Sequence, residues 1–399
     1  MSRATRWLGA MLVGIVGGLA GVFWLQTPPI PVTTTTSMTT SPAETTFAAN
    51  GQTAPTSTLP AQSLFLIWTP GGLPEGLGDQ VGAVPGVEVV STVRSDLILI
   101  QSTFDSTGSV VEDLSEGQYY PVEAASIDSA FAELAPAEWQ GVIASLTIED
   151  ALLTETSAEL RGVGVGATFV GRQTHRISGV LPDMVLGGAE LVMTHEAGET
   201  AGVGTPRYLL ILYEGDRSFL EESVRSLLPP DLPARIRGLG ETPFLRHGDA
   251  VLPQALIKET FGEFTIRPTP SGDTEFDPEW AARNVVTAAL PIIGEVRCHV
   301  VMIEQLAGAL SELERANLEF LIESFDGCFN PRFIAGSRLI SRHAWGAAID
   351  LNYEANPTGQ VTVQDPRLVE IMERWGFTWG GNWLVPDAAH FEWVGLPHP

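Results

Sequence analysis

A chain of 399 residues with 44% hydrophobic content is long enough for two ordinary domains plus tails and apolar enough for buried cores. Its 48 acidic residues outnumber 22 basic ones, giving a formal net charge of -26, and no Lys/Arg cluster interrupts that excess. Phosphate binding needs a basic face, so nucleic acid is excluded as a partner, and the surplus carboxylates name no substrate because such groups mostly solvate a surface.

In chain order, Arg3 and Arg6 come first, followed by an uncharged apolar run from Trp7 to Leu25. At about 19 residues this run exceeds the roughly 7–15 of a signal-peptide core and approaches the ~20 that span a bilayer. Residues 1–25 therefore read as a retained membrane anchor, with a cleaved signal and secretion as the alternative. Basic residues precede the run and are scarce after it, which places the rest of a single-pass cell-membrane protein outside the cytoplasm. Residues 26–62 shift to Thr, Pro, Ser and Ala, with TTTT and TTSP runs. That composition cannot bury a core and reads as an extended spacer.

Residues 63–240 alternate β-rich runs with Gly/Pro turns and read as a separate α+β domain. LFLIW at 64–68, VEVV at 87–90, DLILIQ at 96–101 and YLLILY at 208–213 are the expected strands. Ala167–Asp183 reads as a β-hairpin and resembles the small extracellular barrels of some transporter permeases. GVGVGA at 162–167 lacks the spacing of a nucleotide loop and reads as a turn or strand edge. His195-Glu196 begins like a helical zinc motif, but no histidine follows four positions later; His175 and His247 are isolated.

A Pro/Gly-punctuated connection over 241–276 leads to a C-terminal domain over 277–399. Ile303, Leu306, Leu310, Leu313 and Leu321 recur at helical spacing and predict an amphipathic helix over 301–324. A second helix starts at Asp365 as N-cap with Pro366 in the first turn, buries Leu368, Ile371, Met372 and Trp375, and ends at Gly376. Cys298 and Cys328 are the only cysteines. Outside the membrane such a pair is expected to be oxidised, closing a loop worth very roughly 3 kcal/mol on the chain-entropy account. Neither lies in a ligand-spaced cluster, so a thiolate metal site is not expected.

SRHAWGAAIDLN at 341–352 sets His343 seven residues before Asp350, with Gly346 and alanines between them, and GFTWGGNWLVPDAAHFEWV at 376–394 adds His390 in an aromatic setting. Two imidazoles and one carboxylate leave a fourth zinc position for water, the arrangement of a catalytic zinc. The order S-x-H-x-x-G-x-A-x-D, then G-F-x-W-G-G-x-W, then D-x-x-H-F-E resembles the zinc D-alanyl-D-alanine carboxypeptidases and dipeptidases and their L-alanyl-D-glutamate endolysin relatives. Ser341, His343, Gly346, Ala348 and Asp350 carry the first motif. Gly376, Phe377, Trp379, Gly380, Gly381 and Trp383 carry the second, and Asp387, His390, Phe391 and Glu392 the third.

The resemblance covers roughly the last 120 residues and implies an α+β peptidase domain of the hedgehog/D-Ala-D-Ala peptidase type, with a small antiparallel sheet around Zn2+. It makes His343, Asp350 and His390 the metal ligands and Asp387 the general base, with Glu392 as the rival base or as the group that orients a ligand. Arg332 is the expected cation for an oxyanion or a terminal carboxylate, with Arg338 as the alternative. Ser341 and Trp383 are expected to support the site or touch substrate. The implied substrate is the peptide stem of peptidoglycan, cut as a carboxypeptidase or as an endopeptidase. A non-catalytic, zinc-containing envelope-binding protein is the competing reading, and the presence of Asp387 speaks against it.

Overall fold

The computed structural model describes residues 63–395 apart from 270, 272 and 336. The expected anchor and spacer fall outside these residues. Among the described residues no helix is long and apolar enough to cross a membrane.

In the N-terminal lobe, apolar residues fall at period two or in short buried runs, and a mixed sheet results. The two strands expected around 87–101 are one continuous strand, Val87–Phe104. It pairs with Pro206–Tyr213 along its first half, Tyr120–Ile127 along its middle and Thr168–Gly171 at its end. From Tyr120–Ile127 the sheet passes through Leu191–Thr194, Asp150–Thr154 and Thr174–Leu181 to Thr168–Gly171, and so closes a ring on the long strand. The last two strands are the expected hairpin. At the closure a Cβ on Gly171 would stand 2.1 Å from the Leu99 carbonyl oxygen, so only glycine fits there. On the other side the sheet extends from Pro206–Tyr213 through Ser63–Trp68 to Arg235–Gly238. His195 opens a short helix, His195–Ala201, and its Nε2 meets the Thr92 carbonyl at 2.9 Å, a structural role.

The connection is itself structured. Its helix Gln254–Phe261 sends Lys258 inward, where the ammonium meets Glu190 at 2.8 Å and the Pro121 carbonyl at 2.7 Å. Arg161 also reaches Glu190, at 3.5 Å, and Glu263, at 2.5 Å. Such buried charges are tolerable only when mutually paired, so this cluster fixes where the connection lies on the N-terminal lobe. The same helix gives its apolar side to the C-terminal core, which includes Ile257, Phe261, Phe264, Trp280, Leu306, Leu310, Trp345 and Phe391. Phe264 packs 4.7 Å from Trp345 and 5.1 Å from Trp280 between ring centroids. Truncating such a ring typically costs about 3–5 kcal/mol.

Asp277 caps the helix Pro278–Asn284, its carboxylate accepting the Glu279 and Trp280 N–H groups at 2.9 and 3.0 Å. The hairpin of Val285–Leu290 with Gly294–His299 follows. The helix expected as far as Ser324 covers Val300–Arg315 and stops there because Asn317 turns left-handed, at φ 54. The Leu318 N–H then closes on the Leu313 carbonyl at 2.9 Å, the geometry of a Schellman stop. Leu321 still packs against the core, from a 3-10 turn. Pro366–Arg374 forms the second expected helix with Asp365 as its cap. Phe325–Gly327, Ala348–Leu351, His390–Trp393 and Phe377–Trp379 make a four-stranded antiparallel sheet. Cys298 and Cys328 are disulfide-bonded, with Cα atoms 5.4 Å apart.

His299 ties these parts together. Its Nε2 meets the Phe261 carbonyl at 3.0 Å and its Nδ1 accepts the Val301 N–H at 3.2 Å, which fixes a neutral ring protonated on Nε2. Burial pushes this imidazole down to about 4. A histidine whose folded pKa is depressed stabilises the fold above its unfolded pKa and loses that contribution as pH falls. Between pH 6.5 and 4 the loss should reach roughly 2–3 kcal/mol. Chemical denaturation of wild type and His299→Gln should show the wild-type advantage at pH 7 shrinking by pH 4.5; a difference that does not change with pH would contradict this.

Candidate metal centre

The Ser341–Asp350 segment folds back on itself to deliver both of its site residues. Ser341 Oγ caps the turn Arg342–Ala344 by accepting the His343 N–H at 3.3 Å. Gly346 adopts φ +64, and a Cβ there would stand 2.7 Å from the His299 nitrogen, so the motif glycine answers both to backbone conformation and to space. Ala347 and Ala348 are buried, and the strand that follows pairs with His390–Trp393 so that Asp350 lies opposite His390 and Ala348 opposite Glu392.

The three expected ligands converge. His343 Nε2 lies 3.2 Å from His390 Nδ1 and 3.2 Å from Asp350 Oδ2, and His390 Nδ1 lies 2.8 Å from Asp350 Oδ1. Among the described residues this is the one group of three or more such side chains within metal-ligating reach, and its ligand atoms all lie within 4.8 Å of one another.

The outer nitrogens show whether the set suits a metal. His343 Nδ1 lies 2.7 Å from the Cys328 carbonyl, and His390 Nε2 lies 3.3 Å from Glu392 Oε1. Both partners are acceptors, so each imidazole has an outward place for its N–H and can turn a lone pair inward once a bound cation displaces any proton on the inner nitrogen. Two inward lone pairs beside a carboxylate make a donor set that fits a divalent cation.

The electrostatics show an electronegative site. Burial opposes charge on His390, but the hydrogen bonds and charges of Asp350 and Glu392 prevail and push it up to about 10. Burial would raise Asp350 too, yet its bonds to His343 and His390 hold it well below the usual carboxylate range. The pocket thus favours positive charge among its donors.

A further layer was not legible in the motif. Glu392 Oε2 faces Arg342 Nε at 4.0 Å, and the buried Arg342 also donates through Nη2 to the Leu252 carbonyl. That carbonyl accepts Arg246 Nη1 at 3.2 Å, and Arg246 pairs with Glu123 of the N-terminal lobe. Arg342 sits at a free position of the first motif, and no spacing signal connects it to Leu252 or Arg246.

Of the remaining expected residues, Trp383 packs on the centre itself. The Trp383 ring lies 5.3 Å from that of His390. Asp387 is half-buried; its Oδ1 accepts the Thr358 hydroxyl at 3.0 Å and its carbonyl accepts the His390 N–H at 3.0 Å. Thr358 is a partner the sequence did not reveal. Arg332 is exposed, and its carbonyl accepts the Ser341 N–H at 3.1 Å, which ties its backbone to the cap of the His343 turn. Arg338 is exposed as well, and lines a cavity of about 130 Å³ with Leu99, Arg172 and His175 of the N-terminal lobe.

Residues 335–393 match the family described as D-alanyl-D-alanine carboxypeptidase. The matched segment contains both histidines, Asp350, Asp387 and Glu392, and the C-terminal part of the chain is peptidase-like on this ground. No curated protein matches the chain. Among solved structures, the periplasmic region of MacB from Actinobacillus actinomycetemcomitans is similar at 11% identity and TM-score 0.30, over 44% of this chain and 88% of that one. The extracellular domain of the noncanonic ABC-type transporter YknZ from Gram-positive bacteria is similar at 12% identity and TM-score 0.28, over 44% of this chain and 100% of that one.

The purified protein should bind about one equivalent of zinc, and His343→Ala/His390→Ala should bind none, as read by metal analysis. Glu392→Gln should keep the site but weaken it about 10–100-fold, because the group that orients His390 is altered. Competition with a chelator measures this, and an unchanged affinity would remove Glu392 from its supporting role.

Proposed function

We propose that the C-terminal domain hydrolyses peptidoglycan stem peptides in a zinc-dependent reaction, as a D-alanyl-D-alanine carboxypeptidase. The observation that carries this reading is the convergence of His343 Nε2, His390 Nδ1 and Asp350, with both outer nitrogens committed to acceptors, inside a segment that matches the carboxypeptidase family. Endopeptidase cleavage at an L-alanyl-D-glutamate bond uses the same residues and is the alternative specificity.

Zinc bound to these ligands would acidify water and polarise the scissile carbonyl. Asp387 takes the proton from the attacking water and returns it to the departing amine. It stands three residues before His390, joined to it by a main-chain hydrogen bond, with Thr358 holding its other side. Glu392 fixes the His390 ring, and Arg342 offsets the Glu392 charge. Arg332 meets the anionic oxygen that develops on the substrate or its terminal carboxylate. Its guanidinium makes no ion pair among the described residues and so is available for that role. Trp383 forms a wall beside the site. The oxidised cysteine pair supports a location outside the cytoplasm, where stem peptides lie, with the N-terminal run as the anchor.

Mass spectrometry of stem pentapeptides incubated with the protein should show release of the terminal D-alanine, abolished by a chelator. Asp387→Asn should lower the rate about 10²–10⁴-fold with metal retained, whereas Asp350→Asn should lose metal and activity together. Near wild-type turnover by Asp387→Asn, with turnover lost in Glu392→Gln, would exchange their roles. Retained metal with no cleavage of any stem peptide would favour the non-catalytic reading.

A further inference from the structure

A cleft of about 470 Å³ opens between the lobes beside the metal centre. That volume lies within the roughly 300–1,000 Å³ usual for small-molecule sites. One wall is the Arg235–Gly238 strand of the N-terminal lobe; the other is the edge of the peptidase sheet with Thr378, Trp379, Asn382 and Trp383. Trp383 borders the cleft and also packs on His390, so a single ring links the cleft to the metal centre. The walls are joined, since Arg235 Nη2 donates to the Asn382 carbonyl at 3.1 Å and Asp249 accepts the Leu384 N–H at 2.7 Å.

The chemistry of the walls narrows the ligand. Arg235 and Arg237 both pair with Asp249, and Glu241 pairs with Arg217. The two guanidinium groups share the single Asp249 carboxylate, which leaves one positive charge in this wall. Glu373, the one charged wall residue without an ion-pair partner among the described residues, supplies the opposite charge, so the cleft carries little net charge overall. The Thr378 hydroxyl and the Asn382 side-chain amide make no hydrogen bond among the described residues. Each arginine has five N–H donors, of which the described contacts use two. Half-buried indole rings beside unused neutral donors and acceptors suit an uncharged, polyhydroxylated ligand, whose ring faces stack on tryptophan while its hydroxyls and amides reach the polar groups.

We infer that this cleft is a saccharide subsite that holds the glycan to which a stem peptide is attached. The inference rests on the proposed stem-peptide reaction for its biological setting. A stem joined by an amide to its sugar leaves that sugar uncharged, as the neutral cleft requires. The N-terminal lobe, through Arg235 and Arg237, then contributes directly to substrate choice.

The test compares a disaccharide-linked stem pentapeptide with the free pentapeptide as substrates for the full-length protein and for Asn382→Ala/Thr378→Val. Neither substitution touches the metal ligands, and the Asn382 carbonyl that holds Arg235 is kept. Wild type should show a KM about three- to tenfold lower for the linked substrate, the worth of one or two neutral hydrogen bonds. The double variant should lose that advantage while kcat and the KM for free peptide stay as in wild type. Equal KM values for the two substrates in wild type, or a parallel rise of both in the variant, would overturn the saccharide assignment. If neither substrate is cut, the stem-hydrolysis reading fails by itself. Calorimetric titration of the disaccharide alone, its lactyl group amidated, then decides the cleft: binding by wild type and weaker binding by the variant uphold it, and no binding refutes it.

Discussion

The register between Ala348–Leu351 and His390–Trp393 is the constraint on which the rest of the peptidase lobe depends. It sets Asp350 opposite His390, and period two then places Glu392 on the same face to hold the outer nitrogen of His390. The opposite face carries Ile349, Leu351, Phe391 and Trp393 into the core against Leu306, Leu310 and Met372. A slip of one residue would turn the ligands into the core and the apolar residues into the site, so hydrophobic burial itself enforces the ligand geometry. The cost of exposing those four side chains far exceeds any preference the ligands have among themselves without a cation.

The remaining ligand reaches the site by different means. His343 is on a turn, where side-chain direction depends on caps and contacts and not on strand period. Ser341 fixes the start of that turn, Gly346 permits its return, and the Cys328 carbonyl holds the ring by Nδ1. Cys328 is in turn bridged to Cys298 on the hairpin that leads into the long helix. One ligand is therefore oriented through a covalent link and two through a sheet.

Much of this was legible in the sequence wherever the determinants are local. Caps announced the helix at 366–374, and the ligand motifs lie within short segments whose residue types state their chemistry. Reading failed where the determinant is non-local or competes with a continuing pattern. Leucine periodicity runs past Arg315, but the left-handed Asn317 overrides it. The union of 87–90 and 96–101 into one strand depends on partners as distant as Tyr213, and ring closure depends on Thr168–Gly171. Arg342, Leu252, Arg246 and Glu123 meet through a main-chain carbonyl that no motif encodes.

The connection's helix bears on how the catalytic unit could have been inherited. Phe261 supplies the carbonyl that fixes His299 and a ring 5.1 Å from Trp393, while Phe264 fills the space between Trp280 and Trp345. Yet Lys258, on the same helix, is neutralised by Glu190 of the N-terminal lobe. A fragment cut at Asp277 would lose its packing, and one cut before Gln254 would keep its packing and the Lys258–Glu263 pair but lose Glu190 and Arg161, the other half of the buried charge cluster. The two lobes are therefore not interchangeable cassettes: a new scaffold would have to cover the Lys258–Glu263 pair and supply partners equivalent to Glu190 and Arg161.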